Sequence, residues 1–334
     1  MTLNASDDTA ETITPYKPRD NTGISFKMWR KFFLNRSPRY WALGVVLLFC
    51  RLLALLPHSI LLRLGAGFGH LIGWLSPRVR GIACVNIQLC YPELTPREQE
   101  ALVKASFREL GITFAETFKS WFGNVTKLYW PSATQEGLEH WRAALASERG
   151  IILMACHFGS PDLNVALVGS LVRKDRTFVF TYRKPSDSIV DAFICDARGE
   201  FGDHLFPVNN LVGITRALKK KGVVWYAPDI EVKNKNSVFA EFKGVQASTT
   251  LAISRIARAT NALVVPYAHY RNDDDRTYRL RIFPALDNFP SDEPIADTRA
   301  LNRAIEAIIE PHPERYWWSI KRFKNRPEGE KKVY

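Results

Sequence analysis

The chain has 334 residues, 46% of them hydrophobic, and a formal net charge of +12. That is enough for one large domain or two with an ample core, and the charge points to acidic partners: phosphorylated lipid, an acidic protein or nucleic acid. The five cysteines (Cys50, Cys84, Cys90, Cys156, Cys195) are scattered, odd in number and free of CxxC spacing, which excludes a disulfide framework or a zinc site and fits a protein facing the reducing cytoplasm.

Residues 1–24 form a polar head, expected to be disordered. No basic segment there leads into an apolar core and a small-residue cleavage site, so it is not a signal peptide. From Lys27 to Arg39 the chain is basic, with Trp29, Phe32 and Phe33 interleaved. Trp41 to Leu56 is then apolar except for Arg51. After Pro57 a second apolar stretch, Ile60 to Leu75, contains Arg63 and four glycines. Each is shorter than the ~20 residues that cross a bilayer comfortably. The region 25–78 therefore predicts a membrane anchor, either one helix reaching across or a hairpin lying in the interface; the alternative is a helix buried in a soluble core. Basic residues before Trp41, with Arg78 and Arg80 after the second stretch, predict that the N-terminus and the body lie on the cytoplasmic side of an inner membrane.

Residues 79–334 read as one domain, helical over 80–148 and α/β over 150–334. Thr95-Pro96-Arg97-Glu98 is a helix start, and apolar residues recur at helical spacing from Ala101 to Trp121. Strands are expected at 151–156, 177–182, 204–208, 223–227, 262–270 and 278–284. Helices are expected at 160–172, 187–199, 210–221, 248–260 and 297–310. That alternation predicts an α/β sandwich with a mainly parallel central sheet.

The most informative stretch is Gly150 to Val172. A buried-strand run, Ile151 to Ala155, breaks at His157-Phe158-Gly159, and a helix opens with Ser160 as N-cap, Pro161 in the first position and Asp162 in the first turn. A histidine at a strand's carboxyl end, with an acid at the mouth of the next helix, sits where open α/β sheets place their sites. A neutral imidazole there can take a proton from a hydroxyl while a carboxylate orients the ring. The spacing alone recurs about once by chance in a chain with this many acids. A second match, His269 to Asp274, runs into Asn272-Asp273-Asp274-Asp275 and reads as a solvated turn, so replacing His269 is expected to leave turnover largely intact. Cys156 adjoins His157 but points to the opposite face of the strand, which disfavours an acyl-cysteine route, and no G-x-S-x-G is present.

The segments SPRYWALGV, NIQLCYPELT, HFGSPD, TYRKPSD, KKGVVWYAPD, SVFAEFKGVQASTT and HPERYWWSIKRFKNRPEG resemble the secondary (late) lipid A acyltransferases of Gram-negative bacteria, in particular the lauroyltransferase branch acting on Kdo2-lipid IVA. The resemblance covers nearly all of the chain after the polar head. It implies an acyltransferase-type sandwich that moves a fatty acyl chain from an acyl carrier protein thioester to a hydroxyl of a 3-hydroxyacyl chain. His157 would be the base and Asp162 its holder. The thioester is a substrate, and no cofactor or metal is implied. Asp162 stands where many relatives carry Glu, and Ser160-Pro161 departs from their commoner residues.

Three further residues join the candidate site. Arg198 matches a family arginine that binds or orients substrate. Asp229 follows the strand WYAP, and Arg183 follows TFVFTY, so each lies at a strand's carboxyl end. Lys219-Lys220-Lys221 and the Lys321–Arg326 cluster could meet lipid phosphates, anionic headgroups or the carrier protein. Tyr316-Trp317-Trp318 reads first as core packing. Three alternatives remain open: the related myristoyl- or palmitoleoyltransferase, a glycerol-phosphate-type acyltransferase sharing His-x4-Asp, and a membrane-tethered basic binding protein. Nucleic acid is not expected as a partner, because the basic residues are spread and no recognition motif appears.

Overall fold

A computed structural model describes residues 24–123, 129, 132–173, 175–231, 236–272 and 277–334. The expected disordered head, apart from residue 24, and Asp274 lie outside the described residues. Three helices open the fold: α1 (Phe26–Phe33), α2 (Pro38–Ala54) and α3 (His58–Leu75). Among the described residues no helix is long and apolar enough to cross a membrane, so the expectation of a helix reaching across is not supported. The glycines of the second apolar stretch show why that stretch is part of the body. A Cβ on Gly65 would stand 2.7 Å from the Gly111 carbonyl oxygen, and one on Gly69 only 2.0 Å from that of Phe107. α3 therefore lies backbone to backbone along α5 (Pro96–Phe122), and only glycine permits that approach. Its other side leaves Leu64, Phe68, Leu71, Trp74 and Leu75 exposed, and α2 exposes Val45, Val46, Phe49 and Leu52.

α4 (Pro77–Cys90) and α5 complete the helical half. α5 starts with a reciprocal cap: the Glu98 amide donates to the Thr95 hydroxyl and the Thr95 amide to the Glu98 carboxylate. The sheet follows, with β1 (Thr134–Glu136), α6 (Leu138–Ala146), β2 (Ile151–Met154), α7 (Pro161–Val172), β3 (Phe178–Tyr182), α8 (Ser188–Arg198), β4 (His204–Pro207), α9 (Leu211–Lys219) and β5 (Val223–Tyr226). After the two-stranded hairpin β6 (Ser237–Phe242) and β7 (Val245–Thr250) come α10 (Ala252–Thr260), β8 (Leu263–Arg271), β9 (Tyr278–Ile282) and α11 (Pro294–Ile309).

Among the described residues seven strands form one sheet in the order β1-β9-β8-β2-β5-β3-β4, parallel except for β8 against β9. β2 and β5 are central and covered on both faces, which is why their sequences are continuous apolar runs. Ile152, Met154 and Val224 point into a core shared with α4, the first half of α5, α9, α10 and α11. Ile151, Leu153, Val223 and Trp225 point the other way, onto α6 and α7. Accordingly α7 is apolar nearly all round and buried at ten of its twelve residues.

The six expected strands are present, their ends within two residues of the expected ones. The helix expected over 248–260 begins only at Ala252, because residues 245–250 pair antiparallel with 237–242. Lys243 and Gly244 both have positive φ, 49° and 76°, and so form the two-residue turn whose twist suits a hairpin. β-branched Thr249 and Thr250 then favour strand over helix.

Candidate active site

β2 and β5 lie side by side in parallel, with Met154 opposite Tyr226. The chain leaves β2 towards β3 on one side and leaves β5 towards β8 on the other, so the crevice between their carboxyl ends is a topological switch point. Three residues beyond each strand end stand His157 and Asp229, level with each other because the register is level. The Asp229 carboxylate meets His157 twice: Oδ2 accepts the backbone N–H at 2.8 Å and Oδ1 lies 2.8 Å from Nδ1. Asp229 is buried, its side chain 1% exposed, whereas the imidazole is 16% exposed. Burial by itself would push the Asp229 carboxyl up, but His157 beside it, the two hydrogen bonds and the more distant Arg322 guanidinium together hold it below the usual carboxylate range. An ionised Asp229 fixes the proton of neutral His157 on Nδ1 and leaves Nε2 as the free base.

Asp162 does not fill that place. Its carboxylate is gripped by Arg198 through Nε at 2.7 Å and an Nη at 2.9 Å, and Oδ1 also accepts the Trp121 indole N–H at 2.8 Å. The expectation that Asp162 holds the His157 ring is thus corrected, with Asp229 as the ring's carboxylate partner. The cause is strand order: α7 carries Asp162 towards α5 and α8, whereas β5 brings Asp229 directly beside β2. Arg198, on the last turn of α8, also lies over the Phe180 ring at 5.4 Å. Arg183 follows β3 at the same edge but is exposed, and among the described residues no hydrogen bond ties it to the other four.

A basic residue able to take a hydroxyl proton, paired with a buried carboxylate at a switch point, is equipment for group transfer to an alcohol. Residues 31–325 match the family described as bacterial lipid A biosynthesis acyltransferase. The chain belongs to that family. It is therefore an acyltransferase, and its relatives span nearly the same length. It is 32% identical to the lipid A biosynthesis lauroyltransferase of Escherichia coli K12 over 87% of this chain and 94% of that protein. It is also 32% identical to the palmitoleoyltransferase of the same strain, over 89% and 95%. The myristoyltransferase of that strain is 25% identical over 90% and 92%.

In this lipid A acyltransferase the second histidine stands within the strand expected over 262–270. β8 runs through His269, which is 3% exposed and lies directly beneath Gly159 of the His157 loop. Gly159 has φ +57°, and a Cβ on it would lie 3.1 Å from the His269 Cε1. His269 Nδ1 pairs with the Asn164 amide at 3.0 Å, while the Asn164 carbonyl takes the Trp225 indole N–H and the Tyr267 hydroxyl. His269→Ala is expected to remove the floor under Gly159. Burial, then the positive charges of Arg315 and Arg271, lower the His269 pKa to about 3. Between that value and the ordinary 6.5 the unfolded chain binds a proton that the folded chain excludes, so stability falls as pH drops from neutral. One such group contributes a slope of about 1.4 kcal/mol per pH unit in that window. His269→Gln is expected to flatten the loss of stability between pH 6 and pH 4, measured by urea unfolding, relative to the unsubstituted protein.

Of two aromatic residues at the site, Trp121 escaped the sequence reading and Trp317 was read first as core packing. Trp121 is reached only through the far end of α5, and Trp317 only through an antiparallel bridge of Tyr316 with Phe158.

Proposed function

We propose that this acyltransferase moves a fatty acyl chain from the thioester of acyl carrier protein to the hydroxyl of a 3-hydroxyacyl chain on Kdo2-lipid IVA, with lauroyl as the leading donor. The observation that carries the reading is the His157–Asp229 couple at the β2/β5 switch point in a chain of this family. His157 Nε2 takes the acceptor hydroxyl proton as that oxygen attacks the thioester carbonyl. Asp229 accepts the Nδ1–H and stabilises the imidazolium. Collapse of the tetrahedral intermediate breaks the C–S bond, and His157 returns the proton to the carrier thiolate. Asp162 and Arg198 form the adjoining wall and orient the substrate, and Arg183 is the outermost charge at the same edge. The palmitoleoyl- and myristoyl-transferring relatives are the alternatives for the donor, since each methylene of chain changes apolar burial by only about 0.8 kcal/mol. Purified protein is to be incubated with Kdo2-lipid IVA and carrier proteins loaded with lauroyl, myristoyl or palmitoleoyl chains. Mass spectrometry should then find one added ester-linked chain, with lauroyl transferred fastest; no product with any donor overturns the reading.

The acceptor in this reading is a membrane lipid, and the same reading seats the protein on the cytoplasmic side of the inner membrane. The two apolar helices lie in the interface: exposed Val45, Val46, Phe49 and Leu52 of α2 and Leu64, Phe68, Leu71 and Trp74 of α3 enter the apolar layer. Lys27, Arg30, Lys31, Arg36 and Arg39 supply attraction to anionic headgroups. Flotation with vesicles containing anionic lipid is expected to carry the protein, and Phe49→Glu with Phe68→Glu to leave it at the bottom of the gradient. Flotation unaffected by the two charges would reject this face. Deleting 1–76 is expected to give insoluble protein, because it strips the Gly65 and Gly69 contact from α5.

A further inference from the structure

The loop that carries His157 is held from across the chain by the segment 315–317. The Gly159 amide donates to the Arg315 carbonyl at 2.9 Å, and the Trp317 amide donates to the His157 carbonyl at 3.0 Å. The Trp317 indole N–H reaches back to the Gly159 carbonyl at 3.0 Å, and Phe158 and Tyr316 form the antiparallel bridge between these contacts. Three consecutive loop residues, 157–159, are thereby paired with one short strand-like segment, and Trp317 supplies two of the donors. Its ring also stands beside the base: indole and imidazole centroids are 5.1 Å apart, with an interplanar angle of 59°. That is within the range at which an aromatic face attracts a cation. The bonds and the ring contact come from the same residue, and only tryptophan offers both an N–H at that reach and a large π face.

We propose that Trp317 is a positioning residue for His157: its two N–H groups hold the His157–Gly159 loop in register, and its ring face stabilises the imidazolium formed during transfer. The proposal rests on His157 acting as the base. Among the described residues the other charged or titratable groups near the loop are fixed, including His269 against Gly159, which burial and the charges of Arg315 and Arg271 keep uncharged at neutral pH. Asp229 faces it from the end of β5, Asp162 and Arg198 neutralise each other on α7 and α8, and Arg322 stands behind Asp229 on the C-terminal segment. The Cys156 thiol and the Tyr316 phenol are buried, and burial raises both far above neutral pH, so they stay uncharged.

Two substitutions test this in the full-length protein. Trp317→Leu removes the indole N–H and the ring; a single tetrafluorotryptophan at 317 keeps shape and N–H but withdraws the ring's electrons. Trp317→Leu is expected to lower kcat about tenfold or more, the scale of lost alignment of a catalytic group, with KM within roughly threefold of the parent. Loss of a cation-stabilising face lowers the pKa of the base, so the acid limb of kcat/KM should move to lower pH. A shift of roughly half to one unit is expected for Trp317→Leu, and one in the same direction for the fluorinated protein. The fluorinated protein keeps the test decisive if Trp317→Leu does not fold. An acid limb that superimposes on the parent's in the fluorinated protein, or moves to higher pH, overturns the proposal. So does a loss confined to KM, which would make Trp317 a wall of the substrate groove. Should His157→Ala retain full activity, the base assignment itself fails; an inactive His157→Ala with an unmoved limb rejects Trp317 alone.

Discussion

Asp229→Asn is expected to reduce turnover as severely as His157→Ala, by roughly 10²–10⁴-fold, in a protein that still folds. The reason is the direction of the hydrogen bond and not its existence. The Asp229 carboxylate can only accept, so the proton of neutral His157 sits on Nδ1 and Nε2 is free to take one from the acceptor hydroxyl. An Asn amide can present its N–H₂ to Nδ1 while its carbonyl keeps the bond from the His157 backbone amide, 2.8 Å long in the parent. The ring then carries its proton on Nε2, the wrong nitrogen for a base. Because the peptide contact survives, the loop stays where it is, and the loss belongs to kcat rather than to folding. Initial rates on micellar Kdo2-lipid IVA with acyl carrier protein thioester, beside thermal melts, separate the two. An Asp229→Asn enzyme within threefold of the parent would remove Asp229 from the mechanism and return the orienting role to Asp162.

That distinction between two carboxylates is where sequence reading reaches its limit in this chain. The unit β2–loop–α7 was legible in Ile151–Val172 because its signals are local: a buried apolar run, a break at His157-Phe158-Gly159, and Ser160 and Pro161 opening a helix. The Ser160 hydroxyl does accept the Leu163 amide, at 3.3 Å. The parallel sheet was legible in the alternation of apolar runs with helical segments. Which strands are neighbours was not. β2 is followed in the chain by β3 and β4, yet β5 returns between β2 and β3, and nothing in a single apolar run reports that insertion. Asp162 is five residues from His157 and Asp229 seventy-two, so proximity in sequence favoured the wrong partner. One signal could have been used: His157 in Ala155-Cys156-His157 and Asp229 in Ala227-Pro228-Asp229 each stand third after a four-residue apolar run, as two level parallel neighbours require.

The expectation of a helix reaching across the membrane misled for a different reason. Hydropathy counts apolar residues without regard to what covers them, and glycine counts as neutral. In α3, Gly65 and Gly69 face α5 at backbone contact and Leu61 and Leu62 are buried, while Leu64, Phe68, Leu71 and Trp74 face outward, so one stretch serves both a core and an exposed apolar surface. At His269 the expected strand is present and only its surroundings differ. Its acid neighbours suggested solvent, but the buried pattern of β8 continues through Arg271, which is neutralised between Glu109 at 2.6 Å and Glu116 at 3.1 Å.

Arg198→Met is expected to cost about 3 kcal/mol of stability, because it leaves the Asp162 carboxylate, 4% exposed, without its cation. At the scaling of large domains that lowers the melting temperature by roughly 6–12 °C. The Trp121 indole N–H remains as a partner, which keeps the loss at the lower end for a broken buried pair. Asp162→Asn with Arg198→Met should recover most of that stability, since a neutral amide can still accept the indole N–H and no buried charge is left unpaired. Activity separates a structural pair from a substrate-binding one. If Arg198 only anchors α7 to α8, the double variant regains turnover together with stability. If, as proposed, the pair also orients the acceptor, the double variant melts near the parent but stays slow, with the deficit in kcat/KM for the anionic lipid. Recovery of both quantities would take Arg198 and Asp162 out of the reaction and leave the β2/β5 couple as its whole protein machinery.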